Sequence, residues 1–460
     1  MRIKEEIKNY GDFWLPSAPD KRIPGILSIS DGGLIELELF GVFGNIAEDP
    51  KQIDRIVGHV QKQGFITLDN CYSRNMFSSI STPSVRDEIS KSLIDVTTAF
   101  TGVAYREGEI PRFDTFIFSV EGIDQWVGIS GIKDEYQFEE HAATISYKLP
   151  ENIVLKLNNG MELSIVFAWK PQSLLNKREA GVTQKIYLHL SSQDTHELDE
   201  FISIAQKLTT FLCFAMDQIV YMDSISATFD SSHQEIEENP TMHPSVDIYF
   251  RSSLHSKDDP EIYGHNMLFE FEEIRDKVET IINNWIKGCE QSDPVFHLYI
   301  WAQRDAYPYL EARFLSLVQS LEIYHRRISD EKEMEETEFE ELIKNLIEQC
   351  PIEKQEWLRI KLTHANEVSL RKRIKKLIEP FKEFFGNKEE RKRLINRIVD
   401  TRNNLTHHHF EREDIDDLWF LCQKTEGLFQ LLFLQMIGFN QEDIRAITWS
   451  CQEFRQKLRL

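Results

Sequence analysis

Between Thr401 and Phe410 the chain reads T-R-N-N-L-T-H-H-H-F, which puts one arginine, two amides and three imidazoles within eight residues. An arginine presents a rigid fork of donors that matches a phosphate, and it stays charged at any physiological pH. A histidine titrates near neutrality and can give or take a proton. Arg402 and His407 together are the minimum equipment for cutting a phosphodiester without a metal. The spacing alone is a weak signal. With 25 Arg and 14 His in 460 residues, chance gives about 0.8 pairs with four intervening residues. A second such pair, Arg359 with His364, is present.

The surrounding elements therefore have to choose. Residues five apart on a straight helix lie about 140° apart and do not share a face. Arg402 and His407 converge only if the helix ends or bends between them, or if a second protomer completes the site. The pattern predicts a helix over Lys388–Val399, a stop at Asn403-Asn404, and a new helix from Asp414 through Ile437. Arg359 and His364 read instead as part of a helical run unbroken until Asn366, so Arg402 and His407 are taken as the candidate catalytic pair. Asn403 and His408 are supporting candidates. Adjacent histidine side chains diverge, and no carboxylate or cysteine stands at ligand spacing, so neither a metal nor a cofactor is expected.

Charge adds a second clue. The net charge of −23 is wrong on average for a polyanion binder, but it is unevenly spread. Residues 330–356 carry eleven acidic and three basic side chains, whereas 359–402 carry fourteen basic and six acidic, a local balance of +8. Arg391, Lys392, Arg393 and Arg397 are the candidates for guiding a phosphate backbone toward Arg402. The acidic stretch is expected either to pair with this basic face or, unless the β-rich half does so, to cover it at rest, with Glu331, Glu333, Glu335 and Glu336 as the covering residues.

The rest of the chain divides in two. Residues 1–230 read as a β-rich domain, with hairpins around Asp31-Gly32-Gly33 and Asn158-Asn159-Gly160. Further strands are read at Phe65–Asp69, Phe113–Val120, Trp126–Ile129, Thr183–Leu190 and Ile219–Phe229, and a helix from Thr195 to Met216. Residues 231–262 are polar and aperiodic and read as a linker. From 263 to 460 the apolar spacing becomes helical, an all-α bundle whose core spans about 305–440. The fold class is thus α+β. No phosphate loop, G-x-S-x-G or H-E-x-x-H motif is present. Six scattered cysteines, a charged N-terminus and the lack of a long apolar run point to a cytoplasmic protein with no membrane contact.

Arg402-Asn403-Asn404-Leu405-Thr406-His407, lying between two helices near the end of an α bundle, resembles the R-N-x-x-x-H signature of HEPN domains. The upstream helix Ala312-Arg313-Phe314-Leu315-Ser316-Leu317-Val318-Gln319-Ser320-Leu321-Glu322 resembles the ApeA-like branch of that superfamily. Gly25-Ile26-Leu27-Ser28 with Gly41-Val42-Phe43-Gly44 is similar to the N-terminal domain of bacterial ApeA anti-phage proteins. The resemblance implies a metal-independent endoribonuclease that halts translation during infection. It acts on RNA, tRNA first, answers a phage-derived trigger, and works as a homodimer or higher homo-oligomer. On this implication Arg402 clamps the scissile phosphate and His407 moves protons at the 2′-OH or the leaving 5′-oxygen. Asn403 orients the phosphate or the ring, and Glu322 supports. The products would be 2′,3′-cyclic phosphate and 5′-OH ends. Two other readings stay open: a non-catalytic module with a sensing β half and a dimerising α half, and a nucleotide-handling enzyme. The missing phosphate loop counts against the second of these.

Overall fold

A computed structural model of the protein describes residues 1–43, 52–78, 90–172, 181–229, 245–252, 262–303, 309–406 and 415–458. The described chain forms two compact units. One is Met1–Gly264 with Glu270–Glu279, and the other is His265–Phe269 with Thr280–Leu460.

The first unit is β-rich, as the sequence indicates. Strands β1 (Ile7–Trp14), β2 (Ile23–Ser30), β3 (Leu34–Leu39), β4 (Gln52–Val60), β5 (Gly64–Ser78) and β6 (Ser90–Thr101) run in the order β6-β3-β2-β1-β4-β5. A further β5–β6 pairing closes them into a six-stranded antiparallel barrel. Closure leaves no free edge, and the alternate inward side chains, among them Phe13, Leu27, Leu37, Ile56, Leu68 and Ala99, fill the interior. The first expected hairpin is β2–β3, with Gly32 and Gly33 both at positive φ.

Strand β6 is shared. Its first half pairs with β3, while Thr98–Thr101 pairs with the last strand of the unit, Ser245–Phe250. From there the sheet continues through β7 (Arg112–Val120), β10 (Ile153–Lys156), β11 (Glu162–Pro171), β12 (Val182–Glu197), β13 (Met222–Thr228) and β14 (Ser245–Phe250), in the order β10-β11-β12-β7-β13-β14. A separate hairpin is made by β8 (Ile132–Gln137) and β9 (Ala142–Tyr147). Helix α2 (Leu198–Met216) packs on one face of the extension, where Phe201 stacks on Phe116 at 5.8 Å.

Three expectations for this unit change. Trp126–Ile129 is not a strand. Ile123–Val127 forms a single helical turn, α1, flanked by Gly122 and Gly128 in left-handed backbone, which seats Trp126 against Phe211 and Phe271 at 5.8 and 5.7 Å. Helix α2 starts after Glu197 rather than Thr195, because β12 continues past a bulge to pair His196 with Phe113. Glu197 then forms a capping box with Glu200. Finally, Ser245–Phe250, read as linker, is the strand that joins the extension to the barrel. Its alternating burial was hidden by the polar residues on either side.

The second unit is helical. Beyond α3 (Phe271–Ile274) come α4 (Val278–Ala302), α5 (Leu310–Ile328), α6 (Glu336–Glu348), α7 (Ile352–Leu362), α8 (Leu370–Ile378), α9 (Lys388–Thr406), α10 (Ile415–Ile437), α11 (Gln441–Ser450) and α12 (Gln452–Leu458). Helix α10 packs along α5, and α8 and α9 pack on α5 as well. An aromatic stack of Phe296, Tyr299, Phe429 and Phe433 anchors the core, with Phe296 parallel to Phe433 at 4.6 Å. Ser369–Phe385 is not one helix. Pro380 lacks the N–H an α-helix needs there, and Glu379–Phe385 tightens into 3₁₀ geometry.

One core position is costly. Lys424 on α10 is 2% exposed, its ammonium has no hydrogen-bond partner among the described residues, and it lies 5.1 Å from the Phe420 ring. Burial lowers its pKa from 10.5 to about 8. Between those values the unfolded chain binds more protons than the folded one, so stability rises as pH increases from about 8 toward 10.5. Lys424→Met is therefore expected to raise unfolding free energy at pH 7 by about 2–3 kcal/mol and to remove that alkaline gain. Urea titrations at pH 7 and pH 10 would check both parts.

Candidate functional site

Helix α9 carries the motif. Leu394, Ile395, Ile398, Val399 and Thr401 are its buried side chains, and this apolar stripe holds the helix on its neighbours. The expected stop at Asn403-Asn404 does not occur. The helix continues through Thr406, whose hydroxyl donates to the carbonyls of Arg402 at 2.9 Å and Asn403 at 3.1 Å. Asparagine costs a helix less than about 1 kcal/mol, which packing upstream readily outweighs. His407 and His408 lie outside the described residues, as does Asp414, and so does the expected break between Arg402 and His407.

Arg402 is half-buried on the last turn, and its guanidinium donates to the Asn403 amide oxygen at 3.2 Å. By helical geometry it shares the face of Ile395 and Ile398 and points the same way as Arg391, about 16 Å back along the axis. The other basic candidates are placed differently. Arg393 lies about 180° and Arg397 about 140° around the helix from Arg402, whereas Lys392 lies about 80° away. Arg391 donates to the carbonyls of Gly386 and Lys382, closing the preceding 3₁₀ turn. Arg397 pairs with Asp417 at 2.7 Å and lies over the Phe420 ring at 5.1 Å. Lys392 and Arg393 are exposed.

The acidic stretch meets α8 rather than α9. Glu331 pairs with Lys376 and Glu333 with Lys372, while Lys332 forms an isolated β-bridge to Glu367. Glu335 and Glu336 instead begin α6. These ion pairs are solvent-exposed, so Glu331→Gln with Glu333→Gln should leave the urea midpoint nearly unchanged. A clear shift in that midpoint would mean that the acidic stretch also holds the fold.

The competing pair, Arg359 and His364, does have a helix end between its members, since α7 stops at Leu362. A break is therefore not what separates the two candidates. Here both side chains are exposed and face local carboxylates: Arg359 is 3.7 Å from Glu356, and His364 is 3.1 Å from Glu367. No α7 residue is buried.

Glu322 is half-buried on α5 and pairs with Arg326 at 3.0 Å. No hydrogen bond or ion pair joins it to Arg402 among the described residues. It belongs to a network that the sequence does not signal. Arg326 also pairs with Glu367, and buried Arg373 donates to the Val368 carbonyl at 2.8 Å and to His325 Nδ1 at 3.1 Å. Arginine has no acceptor, so His325 must present a bare Nδ1 and be neutral. Burial and the charges of Arg373, Lys376 and Arg326 hold its pKa below the ordinary value. In sequence, Arg373 is one more cation on a basic helix; only packing reveals that it is 3% exposed.

Two family models match the chain: ApeA N-terminal domain 1 over residues 8–285 and Apea-like HEPN over residues 315–443. The chain belongs to the ApeA family. All of the β-rich unit but its first seven residues lies within the first match, and the second runs from α5 into α11 with Arg402 and Asn403 inside it. The family makes it an anti-phage HEPN-containing protein, of a domain class that usually cuts RNA and often dimerises. Neither a curated protein nor a solved structure matches the chain. Among the described residues of this ApeA-family chain, no helix is long and apolar enough to cross a membrane.

Proposed function

We propose that this ApeA-family chain is a metal-independent endoribonuclease of phage defence, with Arg402 and His407 as its catalytic residues and tRNA as its first substrate. Arg402 binds the scissile phosphate and stabilises charge building on its oxygens. His407 transfers protons between the ribose 2′-OH and the leaving 5′-oxygen, which yields 2′,3′-cyclic phosphate and 5′-OH ends. Asn403 holds the guanidinium fork, and His408 assists. The observation that supports this most is that the Arg402-Asn403 half of R-N-x-x-x-H lies on a buried-faced helix within the HEPN match, where the Arg402 guanidinium hydrogen-bonds only to Asn403 among the described residues.

Two copies of the motif facing one phosphate would place two guanidinium groups on the charge that builds there, which favours a homodimer. The experiment is to express wild type, Arg402→Ala and His407→Ala, infect each culture, and sequence RNA 5′-hydroxyl ends. New ends in wild type that vanish in both variants are the expected result. Protection retained by both variants, with no new ends in wild type, would send the function to a sensing or scaffold role.

A further inference from the structure

The N-terminal sheet extension has two faces, and α2 covers only one of them. On the other, a cavity of about 620 Å³ is closed at one end by Met1–Ile3 and floored by strands β7, β11, β12, β13 and β14. That volume is typical of small-molecule sites. Strand register sets a polar row across its floor. His189 stands opposite Ile117, Ile117 opposite Ser226, and Ser226 opposite Asp247. Tyr187 and Tyr249 lie on the same face, two residues along their strands, with Val166 and Ile225 supplying apolar wall.

These polar groups have little to do within the fold. Among the described residues, the Asp247 carboxylate has no ion pair, and the His189 ring and Ser226 hydroxyl make no hydrogen bond. Asp247 is exposed and His189 and Ser226 are half-buried, and polar groups that converge on one cavity without partners in the fold mark a candidate ligand site. The charges then select the ligand. Arg2 is consumed by Asp31 at 2.8 Å and Glu121 at 2.7 Å, and Lys185 by Asp223 at 3.0 Å. Neither cation is therefore left for an anion, and the free charge on the floor is the carboxylate of Asp247. Partial burial raises that carboxyl above its ordinary range, and its charge, after burial, raises Tyr249 as well. Burial lowers His189, so the ring is neutral and able to accept. A nucleotide or phosphate would face repulsion here, whereas a donor-rich cation would gain acceptors.

We propose that this cavity binds an organic cation, an ammonium or guanidinium on an apolar stem, with Asp247 as counter-charge, His189 and Ser226 as neutral hydrogen-bond partners, and Tyr187 and Tyr249 against the stem. Such a group could arrive as a free amine or as a lysine or arginine side chain on a peptide. The chemistry of the floor is the same for both. The assignment stands apart from the ribonuclease reading, since it involves no residue of the helical unit.

The test is calorimetric titration of the full-length protein at fixed ionic strength with spermidine, agmatine and an arginine-containing tripeptide, and with AMP as the anionic control. Saturable binding of at least one cation, weakened tenfold or more by Asp247→Asn and severalfold by His189→Gln, is expected. Asp247→Asn is isosteric and keeps the strand pairing, and an unchanged melting curve would establish that it folds. Preference for the tripeptide would assign the site to a protein partner, and preference for the free amines to a small-molecule signal. Absence of saturable binding by all three cations would overturn the proposal. So would equal affinity in folded Asp247→Asn, or binding of AMP in place of the cations.

Discussion

Replacing Arg402 with alanine is expected to slow RNA cleavage by about 10²–10³-fold, the usual loss when one donor to a developing oxyanion is removed. Stability should hardly move. The guanidinium makes one hydrogen bond among the described residues, to the exposed neighbour Asn403 at 3.2 Å, so truncation leaves no buried group unpaired. Arg402→Lys keeps the charge but loses the planar fork, and its rate should fall between the two. His407→Ala should cost about 10²–10⁴-fold, as proton-transfer residues do. Residues that act as a unit are not additive, so the double variant should be close to the worse single one. The measurement is the initial rate of 5′-hydroxyl end formation on total tRNA by protein purified from infected cells, with melting curves alongside. An Arg402→Ala protein that folds and still cuts at the wild-type rate would remove residue 402 from the chemistry.

The sequence disclosed the parts that depend on local rules and hid those that depend on packing. Turn chemistry located both N-terminal hairpins, because Gly32 and Gly33 are needed at positive φ, and Gly160 likewise. Periodicity found the helical unit, since α5 buries a regular apolar stripe and α10 is buried and largely apolar along most of its length. The barrel was not legible: closure depends on β5 meeting β6 and on β6 serving two partners, which no local pattern encodes. The end of α9 was misjudged for a related reason. Asn403 and Asn404 have poor intrinsic propensity, but the stripe from Leu394 to Thr401 and the Thr406 hydroxyl carry the helix past them. At the candidate site, residue type and order were readable, whereas partnership was not. Arg397 and Arg391 looked equivalent to Lys392 and Arg393 as cations, yet the first two are engaged with Asp417 and with backbone carbonyls.

Glu426→Ala is expected to destabilise the helical unit by about 3 kcal/mol or more. The carboxylate is 3% exposed at the middle of α10 and receives one cation on each oxygen: Arg313 of α5 at 2.6 Å and Lys457 of α12 at 2.6 Å. It thereby links three helices. Gly427, the next residue, lets α12 come close, since a Cβ there would lie 2.8 Å from a Leu458 methyl. Deleting the carboxylate strands two cations that are only 23% and 11% exposed, whereas deleting either cation leaves the other in place. Arg313→Ala and Lys457→Ala should therefore each cost less than Glu426→Ala. The pH dependence follows from the same geometry. Burial alone would raise the carboxyl, but Lys457 and Arg313 outweigh it and hold the pKa below the ordinary 4.5. A depressed carboxyl contributes stability that is complete above the unfolded value and is lost as pH falls through the folded one. Glu426→Gln should accordingly flatten the acid limb of the stability curve below pH 4.5, in addition to lowering its plateau. Urea unfolding from pH 3 to pH 7 on wild type and the four variants would show this. An unchanged acid limb in Glu426→Gln, or a Glu426→Ala protein within about 1 kcal/mol of wild type, would mean that apolar packing between α5 and α10, not this ion triad, joins the helices.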